Sequence, residues 1–463
     1  ILLMAIWDSV SSFFNGDKRV QNKFNESFFW GSNGYTENDD NDLKKYIDLA
    51  YNINPDVFAV INQISSKLVS IPYYIKDIKD SASNVKLKSF LKSTNYDPSF
   101  TQRIKANKLE MKALSEDEYS MPFDKPNPSQ DWLEFFKLSE TFLKTTGNVY
   151  WYKLMPEEGM NAGEPIQLYC LPSHLMEIVL KQNANMLSIE TPVSHYLLTD
   201  YKTFTKFEES EVVHISVDNP NFGMSGEHLY GQSPLRAAWK NIEASNKGLD
   251  LNINTLKNGG VFGFIHSKGT ALTADQGKEL KERLKEMNKS PEDLSRIAGI
   301  SSEIGFTKLS LTADELKPFD YLKYNQKQIC NVLGWSDTLL NNDDGGKYDK
   351  QVTELKRVLT NTVVPDAKLL ENAFNYQVLS LIKAYKGKCL VFDYKELPEM
   401  QDDLETMTKW ITSVVDNGIM SRSEARYAMR LPEVADSNLD IFTVKDDIMS
   451  LQDAILPTDN LQM

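Results

Sequence analysis

GQSPLRAAWKNIEASNKGLDLNINTLKNGG, residues 231–260, contains both a helix start and a helix stop. Ser233 is a residue type that caps helices, and Pro234 follows at the first helical position, where a missing N–H is harmless. Asn258, Gly259 and Gly260 supply the stop. Between them Leu235, Ala238, Trp239, Ile242, Leu249, Ile253 and Leu256 form one apolar stripe, with Lys240, Glu243, Lys247, Asp250, Asn254 and Lys257 on the opposite side. At about 1.5 Å per residue, the helix should run roughly 35 Å.

Downstream, the strand-like VFGFIHSKG (261–269) precedes a capping box, Thr273 with Gln276. The short helix it predicts carries Lys278, Lys281, Lys285 and Lys289 along one side. A second capping box, Thr312 with Glu315, has Leu311 and Leu316 at hydrophobic-staple positions. It opens a helix over 312–333 that Pro318 is expected to kink. Leu316, Phe319, Leu322, Ile329 and Leu333 oppose Lys317, Asp320, Lys323 and Lys327, and Gly334 ends the helix.

Then comes WSDTLLNNDDGGKYDKQV, 335–352. Asn341, Asn342, Asp343, Asp344, Gly345 and Gly346 have poor helix propensity and suit a turn, with Lys347 and Tyr348 following. A long pattern over 348–385, with Val352, Leu355, Leu359, Leu369, Phe374 and Val378, is expected to bend at Pro365. KCLVFDYKEL (388–397) reads as a strand. Two short helices flank Asn417-Gly418, and from about 435 the tail is polar and acidic.

Upstream, residues 15–42 are rich in Asn, Asp, Gly and Ser and read as a loosely ordered arm. NPDVFAVINQISSKLVSIPYYIKDI (54–78) opens a helix after Asn54, with Val57, Val60, Ile61, Ile64 and Leu68 at helical spacing, and continues into a strand. A charged helical segment is expected over 83–115, a helix over 129–145, a Gly-Asn break and a strand, then a small β-sheet between about 166 and 217. The fold class is α+β, with no internal repeat.

The 463 residues allow two to four packed units, and 41% apolar, 25% charged and 11% aromatic residues are ordinary for a globular chain. A formal charge of −14, from 65 acidic against 51 basic residues, argues against a protein that grips nucleic acid over its whole surface. Cys170, Cys330 and Cys389 form no CxxC, which suggests a reducing compartment and neither a disulfide framework nor a zinc site. The five histidines stand apart, and His214 in EVVHISV reads as a strand residue. No run reaches the roughly 20 apolar residues of a membrane span, the short apolar start ILLMAIWDSVSSFFNG lacks the positive n-region of a signal peptide, and Met4 is a candidate initiator after Ile1 to Leu3. The expectation is a soluble protein made in the cytosol.

Catalytic motifs fail one by one. Gly346-Lys347 and Gly387-Lys388 lack the leading glycine and the hydroxyl of a P-loop. NNDDGGKYDK lacks the spacing and terminal Glu of an EF-hand, and there is no GxSxG or HExxH. Asp402-Asp403 reads as a solvated helix face. No enzyme and no cofactor are expected.

The order long helix, β-containing insertion, second helix, polar loop and long bent helix resembles the portal proteins of tailed bacteriophages with HK97-type capsids. MAIWDSVSSFF, KPNPSQDWLEFFKLSETFLKTTGNVYWYKL, IQLYCLPSHLMEI, NGGVFGFI, QICNVLGWSDTLLN and NGIMSRSEARYAMRLPEV carry it, together with the stretches above. The resemblance implies a cyclic homo-oligomer, usually of twelve subunits, forming the double-stranded DNA channel at one capsid vertex of the virion and assembled in the host cytoplasm. It also implies as partners the terminase large subunit, a head-tail connector or adaptor, and the major capsid protein or scaffold, with no membrane. Residues 1–42 would be the arm, 43–228 the α+β wing, 229–257 the first stem helix, 258–311 the α/β clip, 312–335 the second stem helix, 336–349 the tunnel loop, 350–398 the bent wing helix and strand, and 399–463 a small helical crown and tail. Asn341 through Tyr348 would meet DNA. Lys240, Lys247, Asn254, Lys257, Lys317, Lys323 and Lys327 become channel-facing candidates, and Lys278, Lys281, Lys285 and Lys289 clip contacts for motor or connector. The alternatives are another head-tail structural or adaptor protein, usually shorter, or a DNA-packaging enzyme, against which the missing P-loop counts.

Overall fold

The computed structural model describes residues 43–95, 100–181, 191–200, 203–221, 226–257, 263–267, 278, 304–308, 318–340, 348–400, 404–429, 431, 439, 443–444 and 449–450. The arm, both predicted capping boxes, the 258–260 stop, the Asp402-Asp403 pair and residues 341–347 lie outside these.

A helical turn, Leu43–Lys45, passes into a π-helix, Tyr46–Tyr51. Helix α1, Pro55–Val69, starts as its sequence requires: the Asn54 Oδ1 accepts the N–H groups of Asp56 and Val57, each at 3.1 Å. All five residues of its apolar stripe are buried. Strand β1, Tyr73–Ile78, follows. The expected charged segment 83–115 resolves into two helices, α2 (Ser81–Ser93) and α3 (Phe100–Ala113), and then strand β2 (Leu114–Tyr119), which contains Ser115. β2 pairs antiparallel with β1, Ile75 opposite Tyr119.

Helix α4, Trp132–Thr146, begins a few residues later than the expected 129 because Asp131 caps it. The Glu134 N–H donates to Asp131 Oδ1 at 2.7 Å, and the Asp131 N–H donates to Glu134 Oε2 at 3.2 Å. Six strands follow: β3 (Asn148–Leu154), β4 (Gln167–Leu171), β5 (Met176–Leu180), β6 (Val193–Asp200), β7 (Thr203–Glu208) and β8 (Val212–Ser216). They form two antiparallel sheets, ordered β4-β3-β8 and β5-β6-β7. His214 is a strand residue, opposite Tyr150 in register and stacked on it at 4.4 Å.

Helix α5, Pro234–Lys257, is the long helix of the opening stretch. Strands β9 (Gly263–Ser267) and β10 (Ile304–Lys308) pair antiparallel beyond it. Helix α6 is described from Pro318 to Leu333, which puts the proline in the first described turn. The expected bend at Pro365 takes a specific form. Helix α7, Tyr348–Val358, widens into a π-helix, Leu359–Val363, before α8, Val364–Gln377. Pro365 has no N–H to continue an α-helical ladder, and the wider turn absorbs the break. The Val364 N–H instead reaches Leu359 O, five residues back.

Strand β11, Lys388–Phe392, joins the other edge of β1, completing the sheet β11-β1-β2. Helices α9 (Leu404–Asp416) and α10 (Arg422–Ala428) bracket the turn at Gly418. The main core lies among α1, α4, β3, α8 and β11, where Phe135, Phe136, Trp151, Phe374 and Phe392 are buried and meet largely edge to face. The fold is α+β, and among the described residues no helix is long and apolar enough to cross a membrane.

Candidate functional site

Helices α5 and α6 lie side by side and run in opposite directions. The Asn241 Nδ2 donates to Asn325 Oδ1 at 3.1 Å, while further along α5 a Cβ on Gly248 would touch Leu322 at 3.4 Å. At their inner end the apolar stripes meet the main core through Leu235, Ala238, Ile242, Ile329, Cys330 and Leu333. Polar groups fix this end to α1 and the π-helix before it: Asn54 Nδ2 donates to Asn246 Oδ1 at 2.9 Å, Asn246 Nδ2 to Leu49 O at 3.0 Å, and Gln326 Nε2 to Asp56 Oδ1 at 2.8 Å.

The root of α5 is locked to the turn between α4 and β3. Gly147 has φ 74°, and a Cβ there would stand 2.5 Å from Gln232 O; a Cβ on Gly231 would stand 2.0 Å from Gly147 O. Asn148 fills the junction, donating to Gly231 O at 3.1 Å and accepting from the Gly231 N–H at 2.6 Å. His214 Nε2 lies 3.0 Å from the same Asn148 oxygen, and burial lowers the imidazole pKa to about 4, so the ring is neutral at pH 7. Ser233, the predicted cap, donates its hydroxyl to Thr145 O at 2.6 Å and accepts the Leu235 N–H at 3.2 Å.

The outer part of the pair departs from the sequence expectation. Leu249 is only half-buried, and Ile253 is 48% exposed beside Leu251 at 51%. On α6, Tyr321 is 48% and Tyr324 58% exposed. Lys240 and Lys323 are exposed as expected. Lys247 is exposed but paired with Glu243 at 2.6 Å, and Lys327 stands 4.0 Å from Asp337. Asn254 and Lys257 lie on α5 with side chains outside the described set. Lys278 is exposed and helical; Lys281, Lys285, Lys289 and Lys317 lie outside the described residues.

Loop residues Asn341, Asn342, Asp343, Asp344, Gly345, Gly346 and Lys347 are likewise outside, but both flanks are described. Tyr348 lies in α7. Gly334, at φ 74°, closes α6 so near Thr362 that a Cβ would lie 2.4 Å from its hydroxyl. That hydroxyl donates to Gly334 O at 2.8 Å, tying the π-helix to the end of α6. This contact spans 28 residues and has no sequence signature.

A buried ionic group lies behind the core. Lys144 Nζ contacts Asp366 Oδ2 at 2.6 Å, beside the fully buried Glu140. Burial first, and the Asp366 charge second, push the Glu140 pKa well up, favouring the protonated carboxyl. Burial also pushes the Cys170 and Cys330 thiols up to about 12 and Cys389 to about 11, the reverse of an activated nucleophile. No group of three metal-ligating side chains occurs among the described residues. What the described residues offer is a helix pair rigidly rooted at its inner end.

Residues 98–429 match the family model described as phage portal protein, which is more than half of the chain. The curated portal protein of Escherichia phage T5 is 24% identical over 324 residues, covering 68% of this chain and 71% of that one. Among solved structures, the neck of an empty gene transfer agent particle is similar at 17% identity and TM-score 0.57, covering 87% of this chain and 97% of that chain. The neck of the native particle, computed with C12 symmetry, gives 17% identity and TM-score 0.55 over 87% and 96%. The chain belongs to the phage portal protein family.

Proposed function

We propose that this chain assembles into a closed ring of about twelve copies whose central channel passes double-stranded DNA into and out of a capsid. The observation that carries this reading is the α5–α6 pair: fixed at its inner end by buried hydrogen bonds, it leaves Leu251, Ile253, Tyr321 and Tyr324 uncovered further out. Such apolar side chains call for a neighbour, and in a ring the neighbour is another copy. The C12 symmetry of the similar gene transfer agent neck supports the copy number.

In this reading residues 43–228 and 350–398 are the wing, α5 and α6 the stem, 258–311 the clip and 399–463 the crown. Lys240, Lys247, Asn254, Lys257, Lys317, Lys323 and Lys327 offer brief phosphate contacts inside a mostly acidic ring, which suits a channel that lets a polyanion slide. The loop 341–347 lines the channel. The clip, with Lys278, Lys281, Lys285 and Lys289, docks the terminase large subunit and later the head-tail connector, while the wing meets the major capsid protein or scaffold. The protein acts in the virion, after assembly in the host cytoplasm, as a structural component without a catalytic step.

Negative-stain class averages of the purified protein test the reading. Rings with a central hole are expected, and removal of 341–346 should keep the rings while impairing DNA passage or retention. Compact monomers with nucleotide-dependent activity would contradict it.

A further inference from the structure

The α2–α3 pair reverses the charge of the molecule around it. Between residues 81 and 113 the sequence has seven lysines and arginines against two acidic residues, while the whole chain has 51 against 65. Lys105, Lys108 and Lys112 recur at i, i+3 and i+7, all exposed, so they line one face of α3 over about 10 Å. Lys105 reaches across to α2, its Nζ 5.1 Å from the centre of the Phe90 ring, near the exposed Lys92. At the other end the Lys79 N–H donates to Ala113 O at 2.9 Å, which sets another exposed lysine beside Lys112.

The apolar sides of these helices are already used, with Leu87, Leu91, Ala106 and Ala113 in a core of their own. The one acidic residue described on α3, Glu110, is paired with Lys395. Lys92, Lys105, Lys108 and Lys112 form no ion pair among the described residues. Gathered like charges repel one another, and a polyanion laid along them relieves that repulsion. Lysines are point charges on flexible stems, suited to phosphates that are held without being read.

We propose that this lysine face is a second DNA-contact surface, separate from the channel, holding the sugar-phosphate backbone of double-stranded DNA without sequence preference. The inference rests on the portal reading only in that this reading brings DNA to the protein. Binding of a short fluorescent duplex to the full-length assembled protein, measured across a salt series, tests it with the triple variant Lys105→Glu, Lys108→Glu, Lys112→Glu. Affinity at low salt should fall at least roughly tenfold and the slope against log salt by about 3, with the assembly intact. Unchanged affinity and slope in an intact assembly would overturn it. So would carbodiimide crosslinks from these lysines to Glu433, Asp436 or Asp440 that block DNA binding, since the occupant would then be the chain's own acidic segment. A protein that never forms rings but loses DNA binding in the triple variant would refute the portal reading and leave this surface standing.

Discussion

Helices α4 and α5 are built on the same amphipathic pattern but end in different surroundings. α4 buries Trp132, Phe135, Phe136 and Leu143 along its whole length and is sealed at both ends, by the Asp131 capping box and by Gly147. α5 begins equally well, with Leu235, Ala238 and Ile242 buried, and then carries Leu251 and Ile253 into solvent. The α4 half of the molecule completes its own core, while on the outer α5–α6 pair Leu251, Ile253, Tyr321 and Tyr324 remain exposed in the protomer. Substitutions should therefore separate cleanly into those that unfold the protomer and those that spare it.

The largest loss should follow Trp151→Ala. The indole is fully buried among Phe135, Phe136 and Phe374 and donates to Ser139 Oγ at 2.8 Å, so urea unfolding should register a loss of about 3–5 kcal/mol. Gly231→Ala comes next. Its Cβ would meet backbone atoms of Gly147 and Val217, which cannot swing aside, and about 3 kcal/mol should be lost in the same assay.

A smaller effect belongs to pH. Unfolded His214 takes up a proton near its ordinary 6.5, but the folded ring does so only near about 4, so stability falls as pH drops through that window. The slope from this residue is at most about 1.4 kcal/mol per pH unit, and His214→Gln should remove it from a thermal-melt series. Glu140 works in the opposite sense: its raised pKa means that its contribution is lost as pH rises above the ordinary 4.5, and Glu140→Gln should abolish that loss while leaving the His214 window in place. Smallest for the protomer is Ile253→Asp, within about 0.5 kcal/mol, because the side chain is already half in water.

What the sequence disclosed and what it withheld divide along a similar line. The α1 stripe, the caps at Asn54 and Ser233, the strand around His214 and the long α5 were legible because each depends on residues a few positions apart. Strand β2 was hidden because LSEDEY has no apolar alternation; its place comes from pairing with β1 across the chain. The two π-helices left no trace because one extra residue per turn barely disturbs an apolar pattern. The Asn148–Gly231 lock joins positions 83 apart and left no signal, whereas the Glu243–Lys247 pair, four residues apart on one helix face, was within reach of the sequence. An apolar stripe does not say whether its cover is the same chain or another, so the exposure of Leu251 and Ile253 appeared only in three dimensions.

The most direct test of the central claim is the solution mass of the purified protein, by size exclusion with light scattering, for wild type and for Ile253→Asp combined with Tyr324→Asp. A wild-type mass of about twelve chains and a folded monomer for the double variant, with unchanged circular dichroism, are expected. A double variant that still assembles like wild type would contradict that claim, and so would a wild type that stays monomeric at high protein concentration.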